Sequence, residues 1–338
     1  MKSRIEITQK GVDTDALLIE NKVDLFYLTG LALSAGALVV TRYETVLFVD
    51  GRYFAKAERS APCAVRLFVA NAVADWLEAR EVKTLTFDGA YTSYDRFMAL
   101  KGQLKMVELK AASAVLKEMR AVKDGAEIGA LKAAAALTHQ GLKHVEGLLQ
   151  EGISEEELAF EFELFVRKKG ASRLSFDPIV AFGENSAYPH YRAGKERLKK
   201  NQIVLIDVGA VVDSYCGDLT RVVFFGEKDP QLEKMLELTK QAHAQAMHGA
   251  KPGVKFGDLD RAARAVFETN GVSEFFTHGL CHGVGLEVHE FPRTTIDKEV
   301  ALETGMVFTI EPGLYRPGLG GVRWEDTVLV TKNGLEIL

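Results

Sequence analysis

Cysteine is scarce: Cys63, Cys216 and Cys281 are the only three in 338 residues. They are too few and too scattered for a disulfide framework, which excludes the small scaffolds that depend on one. No run of about 18 uncharged apolar residues occurs, so neither a spanning helix nor a membrane partner is expected. Met1-Lys2-Ser3-Arg4-Ile5-Glu6 lacks the apolar centre of a signal peptide, and a cytoplasmic location is the expectation. A basic excess is missing too. The net charge of -5 weighs against nucleic acid as a partner. The remainder is ordinary for a globular protein, with 47% hydrophobic and 26% charged residues. The length suffices for two domains or one large one.

The first third alternates short apolar runs with helical patterns. Ala16–Ile19, Ala37–Val40, Thr45–Val49 and Thr84–Phe87 read as strands, the middle two as a hairpin around Arg42-Tyr43-Glu44. No catalytic constellation precedes residue 115. Beyond it, Asp124 with Glu127 and Ser154 with Glu157 are capping pairs. They open helices at about 126–150 and 155–169, which precede strands near 178–182, 203–209 and 215–225. A second pair, at about 231–249 and from near Asp258 to 270, precedes strands near 284–289, 306–312 and 321–330. Helix, helix, strands, twice over, suggests a duplicated unit with two sheets around one cleft.

Asp207 lies in Val204-Leu205-Ile206-Asp207-Val208-Gly209, an apolar strand where a charge seldom sits unless it is paired or holds a metal. Asp218 follows eleven positions later in Cys216-Gly217-Asp218-Leu219-Thr220-Arg221. Alone, the two fit a buried salt bridge to Arg221 as well as they fit a metal. The second half repeats the anomaly, with Glu311 after Val307–Ile310 and Glu325 before Asp326–Val328, joined by the Gly-rich turn 317–321. Two such hairpins are hard to explain as independent ion pairs.

Histidine adds a fifth donor. The segment from His278 to Glu290 contains His278, His282 and His289 among three glycines, Gly279, Gly283 and Gly285, with Gly283 directly after His282. Four carboxylates and the His282 imidazole suit two divalent ions, Mn(II), Co(II) or Zn(II), because carboxylates bridge neighbouring ions well. The expected chemistry is hydrolysis by a metal-bound hydroxide. Cys281 reads as a small residue beside the site. His190 ends the turn-rich loop Gly183–His190 and reads equally as a substrate donor or an exposed loop histidine. His139, His144, His243 and His248 lie on helical patterns and receive no function.

At these residues the chain resembles the pita-bread metallopeptidases: prolidase, aminopeptidase P, methionine aminopeptidase and creatinase. The matching pieces are Asn185 to His190, Ile206–Gly209, Asp218–Arg221, His282–Glu290, Glu311–Gly313 and Arg323–Thr327, in order across about 124–338. Phe26–Gly30 and Asp50–Tyr53 resemble the creatinase/prolidase N-terminal domain. The resemblance implies an α+β protein: an N-terminal α/β domain over 1–115, a helical linker over 116–123, and a pita-bread catalytic domain over 124–338 built as a duplicated ααββ unit.

It also implies roles. Asp207 would chelate one metal, Asp218 and Glu325 would bridge both, and His282 and Glu311 would complete the second, with Glu311 shuttling the water proton. His190 and His289 would contact substrate and stabilise the oxyanion. Arg293 would sit near the substrate carboxylate, and Phe176 would line the proline pocket. Phe182 replaces the serine of many relatives, which would narrow the cleft. Cys281 replaces a glycine, which would expose activity to thiol reagents. The implied activity is removal of an amino-terminal residue from Xaa-Pro bonds of short proline-containing peptides, as a dipeptidase or an aminopeptidase P. A homodimer is implied with it. The alternatives are a creatinase-like hydrolase and a non-catalytic binding module on the same fold.

Overall fold

The structure is a computed structural model that describes residues 3–112 and 114–338. Two compact units divide it, Met1–Met119 and Arg120–Leu338.

In the first unit, β1 (Ala16–Ile19), β2 (Ala37–Thr41), β3 (Thr45–Val49), β4 (Ala64–Leu67), β5 (Thr84–Phe87) and β6 (Glu108–Ala111) form one mixed sheet. Their order is β4-β3-β2-β1-β5-β6. The strands β2 and β3 are the expected hairpin, antiparallel with Val39 opposite Val46. Apolar β1, β2 and β3 are buried throughout. The edges β4 and β6 are mostly exposed and carry Arg66, Glu108 and Lys110, charges that resist pairing with further strands. Phe48 meets Trp76 edge-to-face in the core of this unit.

The second unit uses both helix pairs. Gly125–Glu146 and Glu155–Lys168 start at the Asp124 and Ser154 capping boxes. Pro230–Gly249 starts at Asp229 with proline in its first turn. The fourth helix, Phe256–Thr269, begins two residues before Asp258. Asp258 is its third residue, and its carboxylate accepts a hydrogen bond from the Lys255 N–H at 3.3 Å. Asp258 thus caps the Lys255 N–H from inside the first turn instead of preceding the helix as its N-cap.

Strands Ile179–Phe182, Gln202–Val208 and Leu219–Phe225 form an antiparallel sheet. Strands Glu290–Arg293, His282–Gly283, Val307–Ile310, Asp326–Thr331 and Gly334–Ile337 form another. Along Gln202–Val208 the side chains alternate. Val204, Ile206 and Val208 join the core under the first helix pair, with Phe162 and Val166. Ile203 and Leu205 join the core of the second pair, with Phe256 and Phe308. Asp207 shares their parity and therefore faces the space between the sheets.

The long strands expected from the sequence are interrupted. Gly217-Asp218 separates Tyr215–Cys216 from Leu219–Phe225, and Glu311-Pro312 separates Val307–Ile310 from Gly313–Arg316. Trp324-Glu325 separates Gly320–Arg323 from Asp326–Thr331. Residues 284–289, expected as a strand, form a loop closed by Gly285 N to Glu287 O at 3.0 Å. Three of the four acids thus sit where the ladder breaks and a side chain can leave the sheet plane. Among the described residues, no helix is long and apolar enough to cross a membrane.

Candidate metal centre

One cavity of about 500 Å³ in the second unit is lined by Phe176, His190, Asp207, Asp218, His282, His289, Arg293, Glu311 and Glu325. Every site residue expected from the sequence is therefore on its wall. Asp207 and Asp218 come together because Asp207 pairs with Thr220 across the ladder, two residues beyond Asp218. Close approach of the two strand ends needs glycine. A Cβ on Gly209 would strike the Gly217 carbonyl, and one on Gly217 would strike Thr138 Oγ1. In the other sheet, Ile310 pairs with Asp326, which sets Glu311 and Glu325 side by side.

The donors converge. Ligand atoms of Asp218, His282 and Glu325 lie within 4.8 Å of one another. His282 Nε2 is 3.3 Å from Glu311 Oε1 and 3.6 Å from Asp218 Oδ2. The rings of His282 and His289 meet edge-to-face at 4.4 Å. Thr220 Oγ1 donates to Glu325 Oε2 at 2.6 Å.

Burial drives the electrostatics. It pushes Asp218 and Glu325 well above the ordinary carboxylate range, and the neighbouring acids push them further. Burial also takes Glu311 up to about 8. The same desolvation pulls His282 down to about 4, leaving the neutral imidazole that a metal requires. His289 falls to about 4 through burial and then the nearby His282 and Arg293.

Such a cluster of acids calls for cations, and the donor set fits divalent ions. Oxygen dominates it, one neutral imidazole joins, and Asp207 Oδ1 is buried with no hydrogen-bond partner among the described residues.

The sequence reading gave no role to several residues at this centre. Arg323 Nη2 donates to Asp207 Oδ2 at 2.5 Å, and its Nη1 donates to the Tyr315 hydroxyl at 2.7 Å. His278 Nε2 is 2.9 Å from the same hydroxyl. Asp207 is thus paired with Arg323. Arg221, the partner weighed from sequence, bonds instead to Asp326 at 2.5 Å and to the Glu325 carbonyl. An arginine two residues before an acid, after Gly320-Gly321-Val322, is the available signal, but its partner lies 116 positions away. His243, given no function, comes within 3.2 Å of Asp326 Oδ2, on the strand that follows Glu325.

Two expected effects differ. Phe182 is 1% exposed, packs in the core under the first helix pair and does not line the cavity, so it does not narrow the cleft. Cys281 does line the cavity, but it is buried, and burial pushes its thiol well up, away from the reactive thiolate.

Residues 129–332 match the model of metallopeptidase family M24. The chain belongs to metallopeptidase family M24. Residues 4–122 of this M24 chain match the creatinase/prolidase N-terminal domain. It is 34% identical to an Xaa-Pro dipeptidase of Pyrococcus horikoshii, over 99% of this chain and 95% of that protein. An Xaa-Pro dipeptidase structure from Bacillus anthracis superposes with a TM-score of 0.94 at 31% identity, covering 99% of this chain and 95% of that one. An X-Pro aminopeptidase structure from Thermotoga maritima gives 0.89 at 30% identity, covering 98% and 96%. The M24 chain is thus a metallopeptidase-type hydrolase with the α+β pita-bread architecture and a smaller N-terminal domain of creatinase/prolidase type.

Proposed function

We propose that this M24 hydrolase removes the amino-terminal residue from Xaa-Pro bonds of short peptides. One observation carries the reading: five metal-type donors, His190, His289 and Arg293 share a single cavity. Relatives similar over nearly the whole chain and named for Xaa-Pro cleavage support it. The substrates include dipeptides and longer Xaa-Pro peptides, because an Xaa-Pro dipeptidase and an X-Pro aminopeptidase share this fold over nearly the whole chain.

Asp207, Asp218, His282, Glu311 and Glu325 would hold two divalent ions, Mn(II) in our reading, with Co(II) or Zn(II) as the other candidates. When bound, such a pair acidifies water and polarises the scissile carbonyl. Glu311 takes the proton of the attacking water on a carboxylate oxygen and passes it to the departing proline nitrogen. His190 and His289 donate hydrogen bonds to the carbonyl oxygen as it gains charge. Arg293, whose Nη2 donates to the His289 carbonyl at 3.2 Å, pairs with the substrate carboxylate. Phe176 packs against the proline ring. Assembly as a homodimer rests on the likeness of residues 4–122 to the creatinase/prolidase N-terminal domain, and a cytoplasmic location on the scarcity of cysteine.

The test is hydrolysis of Ala-Pro, Ala-Ala and Ala-Pro-Ala by metal-stripped protein supplied with Mn(II), Co(II) or Zn(II). Cleavage of Ala-Pro alone identifies a dipeptidase, and cleavage mainly of Ala-Pro-Ala an aminopeptidase P. Preference for Ala-Ala discards proline specificity. No cleavage with metal bound would move the assignment to a creatinase-like or binding role.

A further inference from the structure

We propose that Glu155 is a positioning residue for His190. It rests on the reading of His190 as a substrate contact.

Glu155 is the first residue of the helix Glu155–Lys168 and is 0% exposed. A carboxylate so buried must be compensated by hydrogen bonds. All four of its side-chain partners come from one segment. Oε1 accepts from the Phe182 N–H and from Asn185 Nδ2, each at 2.9 Å. Oε2 accepts from the Tyr191 hydroxyl at 2.8 Å and the Gly194 N–H at 3.1 Å. Asn185 Nδ2 also donates to the Tyr191 hydroxyl at 2.9 Å, closing the network.

Those donors bracket the loop. Phe182 is where the chain leaves its strand, Gly194 is where it returns past the helix start, and Pro189 to Arg192 between them line the cavity. The His190 ring is exposed and has no hydrogen-bond partner of its own among the described residues. Its position is therefore set by the loop, and the loop is tied at entry, middle and exit to the two oxygens of Glu155. An amide at position 155 presents an NH₂ to one pair of donors, so a glutamine cannot reproduce the network.

The experiment is a double-mutant cycle on the metal-loaded enzyme with Ala-Pro as substrate. Glu155→Gln is expected to lower kcat/KM by on the order of ten- to a hundredfold. In a His190→Ala background the same change is expected to cost less than about threefold, because the group it positions is gone. Equal losses in the two backgrounds would overturn the proposal and leave Glu155 a support of the fold alone. Amide hydrogen exchange separates the anchoring from the kinetics. Gly194 and Phe182 should exchange at least about tenfold faster in Glu155→Gln while Phe162 inside the helix does not change. Unchanged Gly194 exchange overturns the anchoring. Faster exchange with full activity in His190→Ala instead overturns the reading of His190, and the positioning role with it. If Glu155→Gln does not fold, Tyr191→Phe, which removes one of the four donors, enters the same cycle.

Discussion

Arg323 grips one oxygen of Asp207 at 2.5 Å, while the other oxygen of that carboxylate is buried without a hydrogen bond among the described residues. The two residues are 116 positions apart and belong to opposite halves of the repeated unit. Burial works against the Arg323 charge, but Tyr315, Asp207, Glu311 and Glu325 outweigh it and hold the guanidinium well above its usual range. The pair leaves the two oxygens of Asp207 unlike, one held by Arg323 and the other without a protein donor among the described residues.

Removing the arginine leaves a buried charge uncompensated. Arg323→Met is expected to destabilise the metal-free protein by about 3 kcal/mol. Urea unfolding in the presence of a chelator measures this, and a loss below about 0.5 kcal/mol would mean that the pair contributes little, as exposed pairs do.

The metal-free protein should lose stability as pH rises from 7 to 8. Burial holds Glu311 at about 8 and Asp218 and Glu325 well above their ordinary range. In the unfolded chain these acids ionise near pH 4. Above that, the folded state keeps protons the unfolded state has released, so stability falls with rising pH until the folded groups ionise. His278, His282 and His289, lowered to about 3, 4 and 4, act in the opposite sense, but only up to about 6.5, where unfolded histidine loses its proton. Between pH 7 and 8 the acids are left, each worth up to about 1.4 kcal/mol per pH unit. Thermal melts with chelator should show a falling Tm over that interval, and metal should flatten it. A Tm that climbs instead would contradict the assigned burial.

Asp218→Ala is expected to lose bound metal and nearly all turnover while the fold survives. Because Asp218 repels Glu325, Asp207 and Glu311 in the stripped protein, the variant should melt at or above the metal-free wild type. Metal content by elemental analysis and calorimetry test the two halves separately. Wild-type turnover in this variant would remove the mechanism.

His289→Ala should retain its metal and lose rate, by on the order of a hundredfold if it donates to the oxyanion. The ring stacks edge-on against His282 at 4.4 Å without being bonded to it, so metal content is the control. An unchanged kcat would show that the ring has another role.

Much of this centre is legible in the chain. An acid in Val204–Val208 and another before Asp326–Thr331 stand out because apolar strands seldom carry charge. The helix starts at Asp124 and Ser154 are equally plain, since each is followed three residues later by the glutamate of a capping box. Strand continuity was not legible. Gly217-Asp218, Glu311-Pro312 and Trp324-Glu325 each break a ladder that composition alone would run through. The partner of Asp207 was missed for a related reason: Arg221 is near in sequence, but the alternation of its strand turns it toward Asp326.

By itself the sequence determined which side chains offer metal-type donors, where most of the helices begin, and that the order helix, helix, strands occurs twice, because residue type, capping and periodicity are local properties. Tertiary structure alone decided which acid takes Arg323, that Phe182 packs in the core and not on the cleft wall, and that Glu155 holds the loop of His190. Those outcomes depend on which faces of distant strands and helices meet, and on the burial that makes each unpaired charge costly.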